Sequence, residues 1–310
     1  MRAFVKAWRS DKDGAGLGRP GQRNGLALLL FGALCVWFWV PLVNLFTLAA
    51  ANEHLSHVLL IPVLTIYLLF LNRTAILTSQ AWSPTAGALV MAVGVVCYWL
   101  ADGQDGTQDR LAMAVLAFVV MCWGLFLLNF GAECVRKNVF ALMMLFFMVP
   151  LPTALLDAVI GFLQRGSADM VDFMFLILPI QVIREGFIFH LSNFTIFVAE
   201  ECSGIRSFLS LVITSLVAGY WFLTSAWART VLVALVVPLA IIKNAFRIVG
   251  LALLANYVDP AFITDSALHR SGGIPLFVVS LAVLFSLVWL LRKLEQRLGH
   301  DLHDGARAQT

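Results

Sequence analysis

The chain has 310 residues, of which 61% are hydrophobic and only 13% charged, and its formal net charge is +3. Soluble domains are nearer about 45–50% apolar and ~25% charged, so this composition excludes an ordinary soluble globule and requires surface that faces lipid. The small net charge, with no basic run interleaved with aromatics, gives no reason to expect a nucleic-acid partner.

Residues 1–25 form a basic segment carrying Arg2, Lys6, Arg9, Lys12, Arg19 and Arg23. The apolar run that begins at Leu26 is too long for a signal-peptide core, and it is read as a first, uncleaved span. A span needs about 20 mainly apolar residues. By that rule residues 26–50, 58–71, 85–100, 111–130, 207–222, 231–255 and 273–291 are candidates. An eighth starts near Val139, runs into Pro150-Leu151-Pro152 and is expected to continue kinked toward Ile160. The sequence thus predicts an all-α polytopic membrane protein of about eight transmembrane helices. Residues 1–25 and 292–310 are polar cytoplasmic ends, and residues 26–291 are the membrane-embedded domain.

Charge placement orients this arrangement. With the N-terminus cytoplasmic, most basic residues fall on the cytoplasmic side, among them Arg73, Arg136, Lys137, Arg229, Arg292 and Lys293. The outer loops hold only Arg110, Arg165, Arg184, Arg206 and Arg270. That is the positive-inside bias, and it puts both termini in the cytoplasm. Residues 170–180 are apolar but about half the length of a span, with Asp169 and Asp172 beside or within them. They are expected to be an interfacial or re-entrant piece on the outer side.

A different pattern follows. Phe187, Phe189 and Leu191 alternate with Ile188 and His190, then Ser192-Asn193 precedes Phe194, Ile196 and Val198. Period-two alternation around an Asn-containing turn predicts a β-hairpin, with an irregular amphipathic loop as the alternative. Either would deliver the chain to Cys202 on the outer face.

Of the five cysteines, Cys35 and Cys122 fall within spans, Cys134 in a cytoplasmic loop and Cys97 near the outer end of a span. Cys202 is therefore an outer thiol, either paired with Cys97 in the oxidising compartment or free and reactive. Ser203-Gly204 follows it and Ser207 opens a helix, whose unpaired N–H groups favour a thiolate. Arg206 adds a cation, while Glu200 and Glu201 oppose it.

Arg247 lies in the outer half of an apolar helix, where a charge normally faces the protein interior and marks function. Asn244 at i−3 and Lys243 at i−4 share its side of the helix. The bland reading pairs Arg247 with Asp157, Glu200, Glu201 or Asp259; a transporter reading makes Lys243 and Arg247 an intramembrane anion site. His269, in the last outer loop beside Arg270, shares the predicted face of Cys202, as do His54, His57 and His190. Imidazole is the usual partner for taking a proton from a thiol. No metal-ligand spacing is present, and no cofactor is expected.

Three strings carry a family resemblance: Ala199-Glu200-Glu201-Cys202-Ser203-Gly204-Ile205-Arg206-Ser207, Asn244-Ala245-Phe246-Arg247-Ile248, and Leu268-His269-Arg270-Ser271-Gly272-Gly273. Fainter echoes are Ser56-His57 with Ile61-Pro62, Phe147-Met148-Val149-Pro150-Leu151-Pro152, and Val182-Ile183-Arg184-Glu185-Gly186. Together they resemble the exosortase/archaeosortase family of membrane cysteine transpeptidases. Val58 stands where that family often has glycine, and Glu201 where a small residue is common, which leaves the subfamily open.

The resemblance implies Cys202 as nucleophile, Arg247 assisting at the reacting carbonyl and His269 as proton carrier. Arg270 is the runner-up for the third role, and Glu201, Ser203, Gly204, Arg206, Lys243 and Asn244 support the site or bind substrate. It also implies an exported protein substrate with a C-terminal sorting signal: a Pro-Glu-Pro-like motif, one transmembrane helix and a basic cluster. Cleavage would occur at the outer face of the cytoplasmic membrane and be linked to surface-protein or exopolysaccharide export.

Overall fold

The computed structural model describes residues 20–79, 81–104, 106–178, 181–191, 194–199, 203–258 and 273–307. Among the described residues, six helical stretches are long and apolar enough to cross a membrane: His54–Leu71, Pro84–Ala101, Thr107–Lys137, Ile205–Phe222, Ala226–Tyr257 and Pro275–Leu298. Two bent helix pairs bring the number to as many as eight. The protein is a multi-pass α-helical membrane protein with a small antiparallel sheet. Its chain forms two units, Met1–Leu155 and Leu156–Thr310.

In the first unit, the expected single span over residues 26–50 is two helices, α1 (Pro20–Trp37) and α2 (Trp39–Ala51), bent by 71°. Pro41 has no N–H to give the Trp37 carbonyl, so the helical ladder is interrupted there. Phe38 occupies the break, fully buried, with its ring centroid 5.0 Å from that of Tyr98 and 5.5 Å from that of Phe118. A 3₁₀ segment (Glu53–Leu59) leads into α3 (Ile61–Leu71), followed by α4 (Arg73–Leu77), α5 (Pro84–Ala101), α6 (Thr107–Lys137) and α7 (Val139–Met144).

Helices α5 and α6 pack backbone to backbone, because glycine lies where they meet. A Cβ on Gly87 would stand 2.5 Å from Leu128 Cβ and 2.7 Å from its backbone, and one on Gly94 only 2.4 Å from Met121 Cγ. Close approach through small residues replaces the hydrophobic drive that lipid does not supply.

In the second unit, α8 (Thr153–Ile177) follows the Pro150-Leu151-Pro152 break. Residues 170–177, within the stretch expected as an interfacial or re-entrant piece, are the last turns of this one 25-residue helix. The two aspartates that suggested an interruption are satisfied within the fold. Arg184 reaches Asp169 at 2.8 Å and Asp172 at 3.4 Å, one helical turn apart. The hydrogen bond to Asp169 favours the charged guanidinium and raises its pKa above the ordinary arginine value.

Strands β1 (Ile183–Glu185), β2 (Ile188–His190) and β3 (Thr195–Phe197) form an antiparallel sheet in the order β1-β2-β3. The expected hairpin is the β2–β3 pair, with Phe189 opposite Ile196. β1 adds a strand whose three residues are too few to show alternation. The β1–β2 turn has Gly186 at its first central position with φ 64°, as tight hairpin turns require. Phe189, Leu191 and Val198 bury against Val171 and Phe175 of α8.

Helices α9 (Ile205–Phe222), α10 (Ala226–Tyr257) and α11 (Gly273–Arg307) complete the unit. α10 is its spine. Ala245, Ile248, Val249 and Ala252 close the core beneath the sheet, while Leu232 and Val236 pack with Leu211 of α9 and with Leu284 and Val288 of α11. α11 continues beyond Leu291 to Arg307, so the segment expected as a polar tail begins inside a helix. There Glu295 accepts hydrogen bonds from the backbone N–H groups of Thr224 and Ser225 and from the Ser225 hydroxyl. It thereby caps the N-terminus of α10 with a carboxylate from another helix, where negative charge is favoured.

The glycine contacts give a direct test. Gly87→Ala should lower stability by about 1–3 kcal/mol, since the added carbon meets backbone that cannot yield. Gly32→Ala, with no atom within 4 Å, should leave the Tm in detergent unchanged or slightly higher. Equal Tm values for the two variants would refute the close-packed α5–α6 pair.

Candidate functional site

Residues 200–202 and 259–272 lie outside the described residues, and with them Glu201, Cys202, His269 and Arg270 of the expected site. Ser203, Gly204, Arg206, Lys243, Asn244 and Arg247 are described: Ser203 and Gly204 lead into α9, Arg206 is on α9, and Lys243, Asn244 and Arg247 are on α10. The polar groups sealed into this part of the second unit share one destination. Gln164 is 6% exposed, Ser167 0%, Ser203 2%, Lys243 7% and Asn244 1%. Buried polar groups cost stability unless they are hydrogen-bonded, and the Gln164, Ser167, Lys243 and Asn244 side chains each take part in a bond near the two flanks of the segment that carries Cys202.

On the upstream flank, Gln164 of α8 donates from Nε2 to the Val198 carbonyl at 2.6 Å. The Val198 N–H donates to Phe187 O at 2.9 Å, which ties the same residue to the sheet. On the downstream flank, Gly204 is the N-cap of α9 with φ 77° and ψ 15°, a left-handed conformation that only glycine adopts without cost. Asn244 lies directly against it: a Cβ at Gly204 would stand 3.1 Å from Asn244 Oδ1. The Asn244 amide in turn donates to Ser167 Oγ at 3.0 Å.

Lys243 closes the arrangement. Its ammonium donates to Ser207 Oγ at 2.5 Å, and the Ser207 hydroxyl donates to Gly204 O at 2.8 Å. Among the described residues no carboxylate pairs with Lys243, so its cation adds positive potential near the start of α9, where the helix dipole has the same sign. Arg247 follows Asn244 by three residues, about 4.5 Å further along α10 at 1.5 Å per residue. It is half-buried and its Nε is shielded from solvent. Arg206, in the first turn of α9, is exposed.

Two of the rival histidines have polar partners of their own. His190 is on β2, 3.0 Å from Thr195 Oγ1 and 3.7 Å from Glu185 Oε2. His57 belongs to the first unit, in the 3₁₀ segment, and its imidazole hydrogen-bonds to the backbone of His54 and Phe147. That contact links two of the fainter sequence echoes. Cys97 is a free thiol.

Sequence reasoning missed Gln164, Ser167 and the role of Ser207. Gln164 and Ser167 are an i, i+3 polar pair within an amphipathic helix. That spacing was available as a signal that one face of α8 meets another polar surface.

The model of the transmembrane exosortase family matches residues 48–286. The chain belongs to that family. No curated protein and no solved structure matches it. The exosortase match takes in α8, the sheet, the Cys202 segment and the whole of α10, so the polar arrangement above lies entirely within the family's own span.

Gly204→Ala should destabilise this exosortase by roughly 1–2 kcal/mol through left-handed strain, with the Asn244 contact adding to it. Gly161→Ala, helical and with its nearest atom 3.7 Å away, is the control. The Tm difference between the two variants in detergent measures the effect; no difference would mean that Gly204 is free to relax.

Proposed function

We propose that this exosortase is a membrane-embedded cysteine peptidase or transpeptidase that cleaves the C-terminal sorting signal of exported proteins, with Cys202 as nucleophile. The observation that carries the proposal is the convergence of buried polar side chains on both flanks of the Cys202 segment: Gln164 hydrogen-bonded to the Val198 carbonyl, Asn244 packed against Gly204, and Lys243 reaching the Gly204 carbonyl through the Ser207 hydroxyl. A surface loop with no task does not draw sealed polar side chains from two helices. The basic N-terminal segment and the other cytoplasmic basic residues favour an active site on the outer face of the cytoplasmic membrane.

In this mechanism the Cys202 thiolate attacks the scissile carbonyl, forming a C–S bond. Negative charge gathers on the carbonyl oxygen, where the planar donors of Arg247 stabilise it. The tetrahedral intermediate collapses with breakage of the C–N bond, and His269 delivers to the leaving amine the proton it took from the thiol. Water or an acceptor amine then attacks the thioester and frees Cys202. Two steps replace one difficult amide cleavage. The substrate is an exported protein whose single transmembrane helix holds the motif at the outer face while its basic end stays cytoplasmic.

The test is a gel shift of a tagged sorting-signal reporter co-expressed with each variant, normalised to inserted protein. Cys202→Ala should abolish cleavage. Cys202→Ser should be far weaker than wild type, because a hydroxyl needs stronger activation than a thiol. Arg247→Lys retains charge but loses the donor fork and should cost about 10²–10³ in rate. His269→Ala should stall the reaction, and Arg270→Ala should retain substantial activity. Full cleavage by Cys202→Ala would remove the nucleophile and end the proposal.

A further inference from the structure

Where the end of α8 meets the sheet, the fold leaves a cavity of about 600 Å³. Ligand sites span about 300–1,000 Å³, so its size is that of a binding site and not of a packing defect. Phe175, Leu178 and Leu191 give it an apolar wall, and Asp172, Gln181 and His190 supply its polar groups. No lysine or arginine is among the described lining residues. Arg184 donates to Asp169 at 2.8 Å and to Asp172 Oδ2 at 3.4 Å. One guanidinium thus serves two carboxylates, and Asp172 Oδ1 is uncommitted among the described residues. α8 also ends here: the Leu178 N–H takes the Met174 carbonyl at 3.2 Å, and the carbonyls that follow bring the negative end of the helix dipole. His190 is engaged with Thr195 Oγ1 at 3.0 Å and Glu185 Oε2 at 3.7 Å. A cation on an apolar stem matches this lining, and a carboxylate does not.

The same cavity lies at the start of an open sheet edge. The Leu191 N–H bonds to Phe194 O and the Val198 N–H to Phe187 O, each at 2.9 Å. Hydrogen-bonded and non-bonded pairs alternate along an antiparallel ladder, so Phe189 is the β2 residue that bonds to β3, opposite Ile196. Ile188 and His190 therefore turn their backbone groups to Glu185 and Ile183 of β1. Arg184, between those two, turns its N–H and C=O to the free edge, and the alternation carried back one step gives Val182. Among the described residues nothing bonds to the backbone of either. Ile183 is 68% exposed, so no element covers this edge. Val182 and Ile183 also line the cavity, which puts the edge at its mouth. An edge of unpaired N–H and C=O groups is a template for another strand. In such recognition the main-chain bonds give affinity, and pockets for alternate side chains give specificity.

We propose that the free edge of β1 and the adjoining cavity form a docking site for an extended segment of the protein substrate. The segment adds to the sheet as a further strand and places a lysine or arginine side chain beside Asp172. The proposal rests on the reading of this exosortase as a peptidase of exported proteins. It adds where a stretch of the substrate is held and which side chain that stretch presents.

The experiment reads binding by fluorescence anisotropy on the full chain carrying Cys202→Ala, in phosphatidylcholine nanodiscs, with empty discs as the blank. The probe is the dye-labelled peptide Thr-Val-Thr-Lys-Thr-Val-Thr. It is compared with a form that has Glu in place of Lys, and with two forms N-methylated at alternate amides, one for each edge of the strand. The Lys peptide should bind about tenfold more tightly than the Glu peptide, through attraction in one case and repulsion in the other. Methylation on the pairing edge should weaken binding by about two- to tenfold, and methylation on the opposite edge should not.

Two variants separate the side-chain contact from the main-chain one. Asp172→Asn should remove the preference for Lys over Glu. Val182→Pro deletes an outward N–H at a position where an edge strand tolerates proline, and it should weaken the Lys and Glu peptides alike. The peptide comparisons need no change in the cavity, so they decide the matter even where a variant is unstable. Equal affinity for the Lys and Glu peptides, indifference to methylation on either edge, or no binding above the blank would overturn the proposal. Cleavage of a sorting-signal reporter by Cys202→Ala would instead contradict the nucleophile reading, and the binding comparisons would still decide whether the β1 edge is a docking site.

Discussion

Hydrocarbon offers no hydrogen bonds, so every polar group carried below the membrane surface must find its partner inside the protein. In the first unit, Asn138 receives the Asn72 amide at 3.1 Å and donates to the Cys134 carbonyl at 2.9 Å. Trp123 donates to Leu142 O at 3.0 Å, tying α6 to α7. In the second unit, Glu295 caps α10 from α11. These bonds fix helix ends and junctions. At Val198 and Gly204, which flank residues 199–203, the same requirement is met by Gln164 and by Ser207.

Two aspects of that setting bear on reactivity. The side chains that hold the flanks are sealed from solvent, and in low dielectric their dipoles and charges act more strongly than they would in water. The sign of the field is also consistent. Lys243, Arg247 and the start of α9 all favour a negative charge nearby. The apolar core under the sheet and the polar layer beside it are built on the same two helices, α8 and α10, so packing and positioning are set together.

Much of this was legible in the sequence because the signals are long or repeated. Span-length apolar runs gave the helices, and alternation around Phe189 and Ile196 gave β2 and β3. The i, i+3, i+4 spacing put Lys243, Asn244 and Arg247 on one side of α10. What escaped depended on partners distant in the chain. The bend between α1 and α2 needs Phe38 to find Tyr98 and Phe118, although Pro41 marks the place. Asp169 and Asp172 read as an interruption until Arg184, more than ten residues on, neutralises them. Gln164 and Ser167 look like ordinary polar residues of an amphipathic helix until the Val198 carbonyl and Asn244 stand opposite them.

The central claim is that Cys202 is a reactive thiol on the outer face whose chemistry is the activity of the protein. The most direct measurement treats intact spheroplasts, expressing the exosortase with Cys202 as its sole cysteine, with a membrane-impermeant maleimide while reporter cleavage is followed. The account predicts that Cys202 is labelled without permeabilisation and that cleavage falls in step with labelling. Labelling only after permeabilisation, or undiminished cleavage by fully labelled protein, would contradict it.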